Sequence, residues 1–257
     1  MSGVRIHAYP YLAKEPWNAT HDRLRGKLDD MKKVHVADTL RKNLNRKELV
    51  ALIAARGSRT PPDYLEELIE HENYYVRLAV AKNKHSPKGV TEYLSSHPDV
   101  EMRKLVAYSP NATKEQLEVL RQELEGVAYE ITLSVIADNR NASPETLRAL
   151  RFEVYTNTRV AVARNPNTPT DVLLELSKSG SDLVRASVAI NPTLPISRLE
   201  NLIHDKMAIV RRTALKNPNA PINLLERCLK DRRETVRESA ARMLLMRQRI
   251  HKHSEKP

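Results

Sequence analysis

One asparagine-centred phrase returns through this chain at a nearly constant interval, and no other feature constrains the fold as strongly. Anchored on Asn165 of Ala163-Arg164-Asn165-Pro166-Asn167-Thr168-Pro169, the equivalent positions are Gly57, Asn83, Ser109, Asn139, Asn191 and Asn217, with Met243 closing the series. The steps are 26, 26, 30, 26, 26, 26 and 26. Self-similarity at such a period marks arrays in which each unit buries its apolar face only against its neighbours.

The columns around the anchor describe the unit. Three and two residues before it stand apolar and small residues, as in Val80-Ala81, Val106-Ala107, Ile136-Ala137, Val162-Ala163 and Val188-Ala189. Six before it stand Arg77, Arg103, Arg159, Arg185, Arg211 and Arg237, with Leu133 in the fourth unit. Apolar residues at this spacing share one helical face, and alanine lets neighbouring helices approach closely. Asn tolerates the left-handed conformation that ends helices, and Pro166, Pro192 and Pro218 cannot continue one. After a short turn, Thr168-Pro169 or Ala220-Pro221 opens a second helix, proline suiting the first helical position. Its buried face is Leu65 with Leu68, Leu117 with Leu120, Leu147 with Leu150, Leu173 with Leu176, and Leu199 with Leu202. The four extra residues of the long step fall around Leu124 to Tyr129, close to one helical turn, so the buried face survives them.

The expectation is an all-α solenoid of about seven helical pairs over residues 46–250. Residues 1–45, with Trp17 and a helix from Asn18 to about Val36, are expected to cap the first unit, and residues 251–257 to form a basic tail.

The phrases Val184-Arg185-Ala186-Ser187-Val188-Ala189-Ile190-Asn191-Pro192 and Val76-Arg77-Leu78-Ala79-Val80-Ala81-Lys82-Asn83 resemble the leucine-rich repeat variant, a short relative in style of HEAT and armadillo repeats. The resemblance implies a right-handed superhelix of alternating α and 3₁₀ or short helices. Some members of that family hold an iron–sulfur cluster on N-terminal cysteines. Here Cys228 is the sole cysteine, so no such cluster is expected. HEAT-like solenoids also include DNA glycosylases that bind duplex DNA on a basic concave face.

Composition removes other classes. One cysteine allows no internal disulfide and no cysteine-rich zinc site, and Cys228 lies in an apolar helical pattern that predicts a buried, inert thiol. Six glycines fall in no phosphate-cradling motif. His71, His85, His97 and His204 recur near helix ends without a common register and so suggest no metal pair, and His251 and His253 fall in the expected tail. No catalytic set and no cofactor is expected, no apolar run spans a membrane, and a cytoplasmic address follows.

Charge carries the functional reading. The net charge is +11, divided as +5 over residues 1–50, −2 over 51–203 and +8 over 204–257. The position before the anchor is Lys82, Arg164, Lys216 and Arg242 in four units, and Lys84 and Arg140 follow the anchor by one. Stacking would align these into a stripe, and Arg212, Arg232 and Arg233 add further binding charge in the cationic C-terminal units. Such a stripe matches the phosphates of a nucleic acid, DNA before RNA, without reading its sequence. A protein-interaction scaffold is the alternative, since the middle of the chain is charge-balanced. A repair glycosylase ranks third, because 11 aromatics leave little to stack a displaced base. The arginine column has a structural reading, ion pairs of Arg103 with Asp99, Arg185 with Asp182 and Arg237 with Glu234. Helix-end cations such as Lys82 are also favoured by the helix dipole with no ligand at all.

Overall fold

In a computed structural model, residues 44–124 and 129–254 are described, with side chains as far as residue 249. The expected N-terminal cap lies almost wholly outside the described residues. In chain order the helices are α1 (Arg46–Arg56), α2 (Pro62–Leu68), α3 (Tyr74–Lys82), α4 (Lys88–Ser95) and α5 (Val100–Arg103), which runs into a 3₁₀ helix (Lys104–Tyr108). Then come α6 (Lys114–Glu123), α7 (Glu130–Asp138), α8 (Pro144–Leu150), α9 (Thr156–Arg164) and α10 (Thr170–Leu176). The last are α11 (Asp182–Ile190), α12 (Ile196–Leu202), α13 (Ala208–Ala214), α14 (Ile222–Cys228) and α15 (Glu234–Ser254). No strand occurs among the described residues.

The helices form two layers. Odd-numbered helices pack directly on one another along the stack, α1 on α3, α7 on α9, α9 on α11, α11 on α13 and α13 on α15, whereas successive even-numbered helices meet far less. The cause is in the sequence: Ala81, Ala107, Ala137, Ala163 and Ala189 are all buried between the odd-numbered helices, where a larger side chain would hold them apart. The odd-numbered helices make up the inner layer of the stack and the even-numbered helices the outer layer. The paired leucines of the outer helices, Leu65 with Leu68 through Leu199 with Leu202, are buried against them as expected. Cys228 is buried too, and desolvation raises its thiol pKa above the ordinary value.

Three local expectations need correction. The anchor asparagines are not left-handed: Asn83, Asn139, Asn165 and Asn191 have φ between −75° and −66° and ψ between 118° and 129°, which is extended backbone. Pro169, Pro195 and Pro221 sit one residue before the outer helices, with ψ between 139° and 152°, and their carbonyls accept the first helical hydrogen bonds. Among the described residues the 3₁₀ form is confined to Lys104–Tyr108; the other inner helices are α-helical. In addition, α15 continues past residue 250 to Ser254.

What the asparagines do is join units. Each side-chain amide donates to two main-chain carbonyls of the preceding unit. Asn83 Nδ2 reaches Ala55 O and Gly57 O at 2.9 and 3.0 Å. Asn139, Asn165, Asn191 and Asn217 repeat this bond by bond, Asn191 to Ala163 O and Asn165 O at 2.8 and 3.0 Å, Asn217 to Ala189 O and Asn191 O at 2.8 Å each. Each Oδ1 accepts the main-chain N–H two residues on, as from Asn167 and Asn219. Four of the five ladder asparagines, Asn83, Asn165, Asn191 and Asn217, are buried, so these bonds answer carbonyls at helix ends that water does not reach. A second ladder runs beside the first, through Asn111, Asn141, Asn167 and Asn219. At the C-terminal end, where Met243 replaces the anchor, the Arg247 guanidinium takes over the carbonyls of Asn217, Pro218 and Ala220.

Candidate functional site

The arginine column is structural. In every unit that has it, one Nη donates to main-chain carbonyls five or six residues earlier: Arg77 to His71 and Glu72, Arg103 to His97 and Pro98, Arg159 to Glu153 and Val154, Arg211 to Asp205 and Lys206. Its carboxylate partner is not the expected one on the same helix. Arg103 pairs with Glu123 at 2.9 Å, Arg185 with Asp205 at 2.7 Å and Arg211 with Asp231 at 2.8 Å, each carboxylate belonging to the next unit. Stacking brings that turn closer than the helical neighbour, and the last two pairs are almost fully buried.

The row before the anchor behaves differently. Lys82 ends α3, Arg164 ends α9, Lys216 follows α13 and Arg242 lies within α15, all four exposed. Lys84 and Arg140 are exposed one step past the anchor. None of these six forms an ion pair among the described residues. Three of them share an open groove of about 730 Å³ on the inner side: Lys82, Arg140 and Arg164, with Tyr108, Asp138 and Asn141 beside them and Val135, Val160 and Ala161 as its floor. Lys82 Nζ stands 4.8 Å from the centre of the Tyr108 ring, a cation–π contact. A smaller groove of about 190 Å³ continues from Lys82 to Tyr75 and Arg56.

Arg56 lies outside the set expected from sequence, although it occupies the same register one residue before Gly57. The row is also less uniform than a stripe, since Tyr108, Asp138 and Ile190 hold the same register in three units. Arg212 lies one turn back from Lys216 on α13, half-buried, with its Nε buried and unbonded. Arg232 and Arg233 are placed elsewhere. They sit in the turn before α15, at the opposite end of the inner helices, and Arg232 Nη2 donates to Lys206 O at 3.1 Å.

The histidines have a plain assignment, and one expectation about them fails. His71 and His97 do share a register, in successive units, each Nδ1 accepting the main-chain N–H two residues on, at 3.0 Å. No group of His, Cys, Asp and Glu among the described residues is arranged to hold a metal ion. No helix among the described residues is long and apolar enough to cross a membrane.

No protein-family model and no curated protein matches the chain. Among solved structures, one described as "a leucine-rich repeat variant with a novel repetitive protein structural motif" is similar over 75% of this chain and 75% of that one, at 25% identity and a TM-score of 0.45. This chain is a helical-repeat solenoid. Stacked pairs with an open inner face make a scaffold or binding surface.

Proposed function

We propose that this solenoid binds nucleic acid through the phosphate backbone, without catalysis, along the row from Arg56 and Lys82 through Arg140 and Arg164 toward Lys216 and Arg242. One observation carries the reading. Lys82, Arg140 and Arg164 come from three different units yet converge on one groove with no carboxylate pairing them, while the arginine column is tied into the fold. Lys and Arg beside an open groove neutralise phosphates and displace the cations condensed on the nucleic acid, and this term supplies affinity without sequence readout. DNA is the first ligand to test. Labelled oligonucleotides titrated by fluorescence anisotropy over a salt series should bind with a steep negative salt slope, and binding that ignores salt rejects the proposal.

A protein-scaffold reading rests on other residues. Ile131 and Leu183 are 72% and 56% exposed on the inner helices, and Asp138 and Ile190 interrupt the cationic row. Retention of a partner after nuclease treatment favours that reading over the first.

A further inference from the structure

The carboxylates that receive the arginine column themselves form a column, at one constant spacing after each arginine. For Arg77, Arg103, Arg159, Arg185 and Arg211 it reads His97, Glu123, Ser179, Asp205 and Asp231. Where it is a carboxylate, the arginine Nε is bonded at 2.7 to 2.9 Å. Where it is not, Arg77 Nε and Arg159 Nε are buried with no hydrogen-bond partner. His97 already uses Nδ1 on the Asp99 N–H. Ser179 is the other departure. Its Oγ accepts the Ser181 N–H at 3.3 Å, the turn bond that Asp205 Oδ1 takes from Met207 and Asp231 Oδ1 from Arg233. The turn is therefore built as in the carboxylate units, and only the negative charge is missing. Arg159 is otherwise in place, with Nη1 on Glu153 O at 2.7 Å and Nη2 on Thr156 Oγ1 at 3.3 Å.

We propose that Ser179 is a phosphorylation site whose phosphate is received by Arg159, in the seat that Asp205 and Asp231 fill for Arg185 and Arg211. The donor is a nucleoside triphosphate acting through a separate protein kinase. The bond from Oγ to the γ-phosphorus forms, the γ-phosphorus–oxygen bond to the β-phosphate breaks, the diphosphate leaves and the hydroxyl proton goes to the kinase's base. Access comes from its neighbours: Ser179 is half-buried, but Lys178 and Gly180 on either side are exposed, and no atom lies within 4 Å of where a Gly180 side chain would begin. A phosphate offers Nε the charge-assisted partner it lacks and extends the buried clamp to a third consecutive junction, joining α9 to the following unit. Arg164 stands on the same helix, so the modification would stiffen one wall of the groove.

The test uses full-length protein with phosphoserine installed at 179 by genetic encoding, beside the unmodified chain, each with and without Arg159→Gln. Phosphoserine should raise Tm by about 2–4 °C with Arg159 present and leave it unchanged in the R159Q background. The phosphate should titrate, by phosphorus NMR, below its ordinary second pKa of about 6. Should R159Q fail to fold, Arg159→Lys keeps the charge but removes the guanidinium fork, and the titration should return toward the ordinary value. An unchanged or lowered Tm with Arg159 present overturns the proposal, as does a titration indifferent to the residue at 159. Neither readout depends on nucleic-acid binding.

Discussion

The side-chain amide of Asn217 donates a hydrogen bond of 2.8 Å to the main-chain carbonyl of Asn191, one unit earlier and fully inside the protein. Asn191 makes the same bond to Asn165, and Asn165 to Asn139. Each amide thus closes its junction on two carbonyls of the unit before, across the 30-residue step from Ser109 to Asn139 as across the 26-residue ones.

Asn191→Ala should destabilise the chain by about 2–4 kcal/mol, because it strands Ala163 O and Asn165 O without a donor and leaves the Thr193 N–H unanswered. Urea unfolding checks this. Asn167→Ala, in the more exposed second ladder, should cost less than half as much.

The buried clamps predict an acid limb. Arg211 holds the Asp231 carboxyl below its ordinary pKa against the opposing effect of burial. For Asp205 burial is the largest single influence and acts upward, yet the Arg185 bond and the Met207 N–H together outweigh it and the net shift is downward. A carboxylate depressed in the folded state stabilises above its unfolded pKa, and that contribution is lost as pH falls through the folded value. The urea midpoint should therefore hold between pH 7 and 5 and fall below about pH 4. Asp231→Asn should lower stability at pH 7 by about 3 kcal/mol, since it leaves Arg211 buried and unpaired, and should flatten the acid limb.

Arg247→Ala should loosen one end of the stack only. It removes the donors to the carbonyls of Asn217, Pro218 and Ala220, where Met243 stands at the next ladder position and supplies no amide. Hydrogen exchange should quicken in α14 and α15 and stay unchanged from α1 to α9.

Much of this was legible in the sequence, because the helix faces, the small inner residues and the paired leucines repeat with the period and depend on local spacing alone. The roles of Asn165 and Arg185 were legible only in part. Their positions follow from the period, but their partners lie in the units before and after, and only stacking reveals that a neighbouring unit outcompetes the same helix. The cationic row was legible in four of its units. Arg56 holds the same register before Gly57, so the period alone places it in the row, whereas charge alone says nothing of where Arg232 and Arg233 lie, and the fold puts them at the other end of the inner helices.

The most direct test of the proposed interface compares two charge-matched double variants. Lys82→Glu with Arg164→Glu alters the groove, and Arg232→Glu with Arg233→Glu alters the opposite edge. With DNA titrated by anisotropy across salt concentrations, the groove pair should weaken binding by at least about tenfold and reduce the log–log salt slope by about 2, one unit for each phosphate no longer neutralised. The edge pair should change affinity no more than about threefold. Equal losses from both pairs, or no loss from the groove pair, would contradict a binding track on the inner face.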